Sequence, residues 1–128
     1  MEEFKQDEEL YRVVINTPDF FLEDQHRITS AVFKDKGGCS VDRQKNRTRE
    51  ESCSFLVDAQ KNNRNGIRAV AIVKVHQCYD VDATVLPMPT ETNEFHCEIL
   101  DENGEPPLTS RQAKKLSRAA IIISIQAE

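Results

Sequence analysis

The side chains best suited to proton transfer in this chain are two of its histidines and a nearby glutamate. One residue separates His96 from Glu98, and residues two apart in a β-strand point to the same face of the sheet. A histidine beside a carboxylate can act as a general base that the carboxylate orients. His26 lies beside Arg27 at the start of another predicted strand. We therefore take His26, His96 and Glu98 as candidate catalytic residues.

Residues suited to holding an anion cluster between Gln25 and Arg43, in the most basic part of the chain. Arginine can donate paired hydrogen bonds to a phosphate or a carboxylate. The structural alternative is an Asp42–Arg43 pair that locks the loop after Gly37 and Gly38, with Ser40 satisfying a turn amide. The candidate binding residues on the first interpretation are Arg27, Ser30, Ser40, Asp42 and Arg43.

Motifs of well-known catalytic centres are missing from the sequence. There is no HxT pair of the two-histidine phosphodiesterases, and no HExxH, GxSxG or P-loop pattern occurs. A metal site needs three or four ligands of defined geometry, and no close pair of ligands starts one. We therefore predict no metal site and no cofactor.

Cysteine spacing and hydropathy indicate a cytoplasmic protein. No two of the four cysteines are closer than 14 positions, so there is no CxxC pair. We expect them to be free thiols packed as small hydrophobic residues in a reducing compartment. The N-terminus is acidic without an apolar signal-peptide core, and no apolar run approaches the roughly 20 residues that cross a bilayer. We predict no membrane association.

Charge is distributed unevenly along the 128 residues, whose net charge is −5. An acidic total is not typical of a duplex-binding protein. Met1–Leu10 holds five acidic residues against one lysine, whereas Lys34–Arg49 holds six basic residues against two aspartates. The basic stretch is either a solvated loop or a surface for an acidic partner. Binding of single-stranded nucleic acid is weakly supported, since the aromatic platforms that accompany it are missing.

The pattern of apolar residues and turn signals predicts one α+β domain over residues 9–128, after a flexible acidic N-terminus at residues 1–8. We expect a mixed or mainly antiparallel sheet of about five strands with two helices. Thr48 and Glu51 have the spacing of a capping box. Residues 121–123 fit either a helix end or a strand, and His76 is placed in the core or an interface. The predicted strands cover residues 9–15, 27–34, 39–42, 67–75, 80–86 and 93–100, and the helices run from 49 to about 60 and from 111 to about 122.

Three segments of the chain together resemble a pattern in small uncharacterised bacterial proteins. The segments are His26–Lys34, Ser40–Arg43 and the His96–Ile99 strand, followed by the basic helix Arg111–Arg118. Those proteins have an arginine, a Ser-Ala-Phe strand and a Ser-Val-Asp turn near the N-terminus. The resemblance covers about a third of the chain and implies a bacterial origin without implying an activity.

Two functions follow from these observations. We favour a non-enzymatic binding or accessory module that contacts a protein partner, because charge segregation can steer encounter with a complementary surface. The alternative is a small enzyme acting on a nucleotide or RNA phosphate. In that enzyme His26 or His96 transfers a proton, and Glu98 orients the histidine. Arg27 and Arg43 bind the negatively charged phosphate. Convergence of these side chains in one pocket would favour the enzyme.

Overall fold

The computed structural model describes residues 4–105 and 107–125, and it confirms the α+β class. One six-stranded antiparallel sheet, a two-stranded hairpin and three helices make up the described residues. The strands are β1 Glu9–Ile15, β2 Phe21–Leu22, β3 Arg27–Ile28, β4 Cys39–Arg43, β5 Ile67–Lys74, β6 Ala83–Pro87, β7 His96–Asp101 and β8 Ile121–Ser124. The helices are α1 Arg49–Ala59, α2 Val75–Asp80 and α3 Ser110–Ala119, with a 3₁₀ helix at Ser30–Phe33.

The strand order of the large sheet is β6-β7-β4-β1-β5-β8, and every neighbouring pair is antiparallel. Strand β5 is buried on both faces, as its run of Val, Ile and Ala predicts. Its alternate residues contribute to two different apolar clusters, one on each side of the sheet. The sheet is therefore the middle layer of the domain.

Different helices cover the two faces of the sheet. The larger core joins one face to the 3₁₀ helix, α2 and α3, and includes Phe33, Cys78 and Leu116. On the opposite face, α1 packs Cys53 and Leu56 against Tyr11, Val70 and Ile72. The same face of β4 and β7, beyond the part packed against these α1 side chains, carries the polar residues described below.

The predicted strand at residues 27–34 is wrong beyond Ile28. The chain leaves the hairpin there and forms the 3₁₀ helix, in which Val32 and Phe33 are both buried. Consecutive residues of a strand point to opposite faces, so a strand could not direct this adjacent pair into one core. The apolar pattern of the segment results from this shared burial.

The predicted strand at residues 80–86 begins later, and a helix precedes it. Helix α2 follows β5 directly, with Val75 and Cys78 buried three residues apart. Asp82 adopts a positive φ of 63°, which ends the helical segment and delays β6 until Ala83. His76 lies on the outer side of α2, where its Nδ1 is 3.4 Å from Asp80 Oδ2, so it is not in the core, and its alternative place in an interface stays a prediction.

The predicted N-terminus of α1 is confirmed, since the Thr48 side chain and Glu51 form both hydrogen bonds of a capping box. Helix α3 begins in the same way, with Thr109 as the N-cap residue and Gln112 as its partner. It ends at Ala119, earlier than predicted. Ile121 then starts β8, which settles the ambiguous isoleucine run as an edge strand.

Candidate functional site

The register between β4 and β7 brings four of the candidate residues onto one face of the sheet. Ser40 pairs with Glu98, and Asp42 pairs with His96. Directly opposed residues of an antiparallel pair have Cβ atoms about 5 Å apart. The sequence predicts that His96 and Glu98 share a face, and their direct contact agrees with this. No pattern in the sequence indicates that β4 pairs with β7. That pairing places Ser40 and Asp42 beside His96 and Glu98.

Glu98 connects the serine and the histidine through one oxygen. Ser40 Oγ donates a hydrogen bond of 2.6 Å to Glu98 Oε2, and His96 Nε2 lies 2.9 Å from the same atom. This contact orients the ring and favours a proton on Nε2. Within the described part of the chain His96 Nδ1 has no hydrogen-bond partner, so it is available to accept a proton.

Gly38 provides the space that the Glu98 carboxylate occupies. A Cβ atom built on Gly38 would lie 2.4 Å from Glu98 Oε1, so the carboxylate would have to move from its position beside Ser40 and His96. The backbone of Gly38 also has a φ of +114°, which favours glycine. The predicted break at Gly37 and Gly38 therefore serves the site directly.

Asp42 offers a buried hydrogen-bond acceptor without a partner. The residue is 2 % exposed, and its Oδ1 accepts a 2.9 Å hydrogen bond from Asn93 Nδ2. The Asn93 side chain is held in turn, because its Oδ1 accepts from the backbone N–H of Phe95. Asp42 Oδ2 has no partner among the described residues. A buried polar atom left unpaired is costly, so a donor that reached this oxygen after a small movement of the lining would be bound favourably.

A cavity of about 470 Å³ lies where β1 and β4 diverge. The two strands pair only at Leu10–Arg43 and Tyr11–Asp42, and the Arg12 side chain enters the gap beyond. Arg12 Nη1 donates to the Ser40 carbonyl at 2.7 Å, and Nε donates to the Val32 carbonyl. The polar side chains lining the cavity include Arg12, Asp35, Ser40, Asp42, Asn93 and His96.

Arg12 is the residue of this site that was not among the candidates. Its signal in the sequence is a charged residue inside the apolar strand Glu9–Ile15. Arg12 Nη2 lies 3.8 Å from Asp35 Oδ2, so the guanidinium is bound on several sides. We infer that Arg12 shapes the cavity between the strands and holds Ser40 in place through its carbonyl.

Arg43 does not join this cavity, and the proposed Asp42–Arg43 pair does not form. Its side chain points the other way and makes a buried double hydrogen bond to Glu8, at 2.8 Å for both Nε and Nη2. Burial favours the neutral form of Glu8, but the bonds from Arg43 and the Lys45 backbone outweigh it and lower the pKa of Glu8. The predicted flexibility of residues 1–8 stays a prediction, while Glu8 is buried against the domain.

Part of the charge segregation along the chain is paired inside the fold. Glu9 binds Arg49 Nη2 at 2.6 Å, and the hydrogen bonds from Arg49 lower the pKa of Glu9. Arg47 stacks on Phe95 with 3.5 Å between the guanidinium carbon and the ring centroid. Two acidic residues at the N-terminal end of the domain therefore pair with two cations of the basic stretch, while Lys34 and Lys36 are exposed.

Three candidate residues lie in a separate cavity of about 640 Å³, which we name the basic cleft. It lies between the β2–β3 hairpin and α3, and it shares no lining residue with the cavity beside His96. The structure therefore places the candidates in two groups, apart from Arg43. The basic cleft is lined by His26, Arg27 and Ser30 together with Lys114, Arg118 and neighbouring side chains.

The four cysteines are buried free thiols. Burial raises the pKa of Cys39 to about 11 and the pKa values of Cys78 and Cys97 to about 12. Such thiols are protonated at neutral pH and are poor nucleophiles. Across residues 4–105 and 107–125, no group of three potential ligands is arranged to hold a metal ion. Over the same residues, every helix is too short or too polar to span a bilayer.

Comparisons with known proteins give no match to a family model, to a curated protein sequence or to a solved structure. The resemblance to small bacterial proteins therefore stays an expectation, and the functional argument depends on the geometry of the site.

Proposed function

We propose that this protein is a small enzyme that performs general acid–base chemistry on a polar small molecule. The observation that carries the proposal is the contact of His96 Nε2 and Ser40 Oγ with the same oxygen of Glu98, beside a cavity that His96, Ser40 and Asp42 line. A pocket with a few convergent polar groups is the usual form of such a site.

His96 is the group that moves the proton in this proposal. Its Nδ1 takes a proton from a substrate hydroxyl, a substrate amine or a water molecule, and Glu98 stabilises the imidazolium that forms. Ser40 donates to Glu98 and not to His96, so it positions the carboxylate and is not an activated nucleophile. Asp42 Oδ2, once a small movement of the lining exposes it, accepts a hydrogen bond from the bound molecule.

The lining of the cavity favours a substrate that donates hydrogen bonds over a phosphate. Asp35 and Asp42 bring two carboxyl groups to it, and a carboxylate next to a phosphate is repulsive. Arg27 and Arg43, which the sequence suggested for holding phosphate, do not line it. We therefore replace the nucleotide or RNA phosphate of the earlier hypothesis with a hydroxyl- or amine-bearing small molecule.

Protein-observed NMR with a panel of hydroxyl- and amine-bearing small molecules tests this proposal. A true ligand shifts the ring signals of His96 and the side-chain amide of Asn93, and it is then assayed for turnover. We expect His96→Gln to abolish turnover while retaining binding, and Asp42→Asn to weaken binding about tenfold, the loss of one charge-assisted hydrogen bond.

His76→Gln is the matched control, because His76 lies on α2 and lines neither cavity. It should leave both binding and turnover unchanged. Ligands that bind without contacting His96, or turnover that survives His96→Gln, would contradict the enzyme proposal.

A protein-binding module is the second candidate, and one surface favours it. Leu86 and Met88 are exposed at 36 % and 44 % along the edge strand β6 and its continuation. They line a depression of about 380 Å³ together with Pro87 and Pro89, and Arg43, Lys45 and Glu94 complete its lining. Apolar side chains of a partner would pack there, while Pro87 offers no N–H for an added strand.

Co-purification from the native cell tests the second candidate. We expect Leu86→Asp with Met88→Asp to lose a partner that wild type retains, and Tyr79→Asp, a change at another exposed apolar residue, to keep it. Equal recovery with all three proteins would count against a partner at β6. Both proposals place the protein in the bacterial cytoplasm. The buried free thiols support a reducing compartment.

A further inference from the structure

The basic cleft carries positive charge that no acidic side chain of residues 4–105 and 107–125 balances. Its charged lining residues are Arg27, Lys114 and Arg118, and His26 lies at its edge near the hairpin turn. Among the described residues no aspartate or glutamate lines it, and these three cations form no ion pair. Such a concentration is notable in a chain with a net charge of −5.

Acidic residues nearby do not neutralise the cleft. Glu23 belongs to the same hairpin turn, but its carboxylate is bound by Arg68, with 2.7 Å between Arg68 Nε and Glu23 Oε2. Asp24 is exposed and does not line the cavity. The local charge of the cleft therefore differs in sign from the charge of the whole protein.

The cations of α3 are arranged at a cost to the isolated helix. Lys114 and Arg118 are four residues apart, so they lie on the same face of α3, and like charges at this spacing are destabilising. Arg27 from the hairpin lines the same cavity and adds to the repulsion. An anion bound between the three cations would replace their mutual repulsion with attraction to the anion.

Hydroxyl groups complete the polar lining. Ser30 lies at the start of the 3₁₀ helix, and its hydroxyl has no hydrogen-bond partner within the described part of the chain. Ser110 also lines the cleft, and Lys34 Nζ donates to its Oγ at 2.8 Å. Guanidinium, ammonium and hydroxyl donors around one cavity suit the several oxygens of a phosphoryl group.

The rest of the cavity is apolar and has the size of a small-molecule site. Leu22, Ile28, Ala120 and Ile122 line it beside the cations. A volume of about 640 Å³ exceeds the needs of an inorganic ion and falls in the usual range for small organic ligands. The lining of the cavity therefore combines cationic and apolar side chains.

We propose that the basic cleft binds a small organic phosphate, with the phosphoryl group held by Arg27, Lys114 and Arg118 and the organic part on the apolar lining. Candidates from the sequence, Arg27 and Ser30, thus take the phosphate-binding role that the cavity beside His96 does not support. The proposal is independent of the proposed enzyme site, because the two cavities share no lining residue.

Titrations followed by NMR chemical shifts test the proposal with phenyl phosphate, inorganic phosphate and phenol as probes. We expect phenyl phosphate to shift signals of Arg27, Ser30 and α3 and to bind about tenfold more tightly than inorganic phosphate. Phenol should not bind measurably. Equal affinity for phosphate and phenyl phosphate would show an adventitious ion only and would overturn the proposal.

Charge-removing variants locate the binding. Arg27→Gln, Lys114→Gln and Arg118→Gln should each weaken phenyl phosphate about tenfold, the usual loss for one charge-assisted hydrogen bond. Lys61→Gln, which removes a cation that lines neither cavity, should bind as wild type does. Thermal unfolding midpoints equal to wild type exclude misfolding of the variants.

A single-stranded oligonucleotide is the last probe. The proposal fails if the oligonucleotide binds the cleft, gains affinity with length and loses it with salt, while phenyl phosphate does not bind. It also fails if the three variants bind phenyl phosphate as tightly as the Lys61→Gln control.

Discussion

Glu98 holds the candidate site together at the scale of single residues. Its Oε2 accepts a hydrogen bond from Ser40 Oγ and contacts His96 Nε2, and its Oε1 lies against the backbone of Gly38. A change at Gly38 therefore acts on His96 through Glu98, although the glycine has no side chain to contact it.

Gly38→Ala should disorder the His96–Glu98 contact and destabilise the fold. The added methyl group would meet Glu98 Oε1 at 2.4 Å, and the φ of +114° disfavours a side chain. We expect a loss of about 2 kcal/mol in the free energy of unfolding, from backbone strain and the displaced carboxylate. Urea denaturation measures the loss, and the NMR signals of the His96 ring report the displaced contact.

Gly37→Ala is the matched control for this change. A Cβ there would lie 3.7 Å from Asp35 Oδ1, an ordinary contact, and Gly37 is not among the glycines with positive φ. Its free energy of unfolding should stay within about 0.5 kcal/mol of wild type. Equal effects of the two alanines would refute the role given to Gly38.

At the scale of helices and strands, short-range sequence patterns predicted some elements correctly. The strand at Glu9–Ile15 and the capping residue Thr48 are confirmed because each depends on neighbours in the sequence. Residues 30–33 were wrongly assigned to a strand and the helix at residues 75–80 was missed, because burial by distant elements decided their conformation. Patterns within a segment do not contain that information.

Thr48→Ala should destabilise α1 by about 1 kcal/mol. Thr48 Oγ1 accepts the backbone N–H of Glu51 at 3.1 Å, and an alanine leaves that donor without a side-chain partner at the helix start. Ser54→Ala, at an exposed position inside α1, should be neutral or slightly stabilising, because alanine favours the helix interior. Urea denaturation of the two variants separates loss of the cap from loss of a hydroxyl.

At the scale of the whole molecule, the N-terminal acidic residues stabilise the fold through the cations of the basic stretch. The Glu8–Arg43 pair is almost fully buried, with side-chain exposures of 6 % and 5 %. It joins the segment before β1 to the end of β4. The sequence showed the two opposite charge clusters without showing that they meet, because their pairing depends on the strand order.

Glu8→Gln should cost about 3 kcal/mol of unfolding free energy at pH 7, the usual range for breaking a buried ion pair. The pKa of Glu8 is lower in the fold than its ordinary value of 4.5. A lowered pKa contributes stability above pH 4.5, and this contribution is lost as the pH falls through the lower folded value. Wild type and variant should therefore converge in acid, as followed by urea denaturation between pH 7 and pH 3.

Asp7→Asn provides the control for the charge change, because Asp7 is the exposed neighbour of Glu8. It should show little loss at any pH. A difference between wild type and Glu8→Gln that does not shrink in acid would contradict the role of the carboxylate charge.

The sequence predicts more of the fold than of the candidate site. The class, most strands and the His96–Glu98 geometry follow from periodicity, which acts along one segment. Ser40 and Asp42 were candidates, but their meeting with His96 depends on the pairing of β4 with β7. Arg12 and Gly38 were not candidates, because their roles come from the gap between β1 and β4 and from the position of Glu98.

The short pairing of β1 with β4 makes the sheet two three-stranded halves, β6-β7-β4 and β1-β5-β8, that meet at two residue pairs. The cavity beside His96 lies along this short join. A molecule bound there would bridge β1 and β4 where no strand ladder joins them, so occupancy of the site would add to the continuity of the sheet.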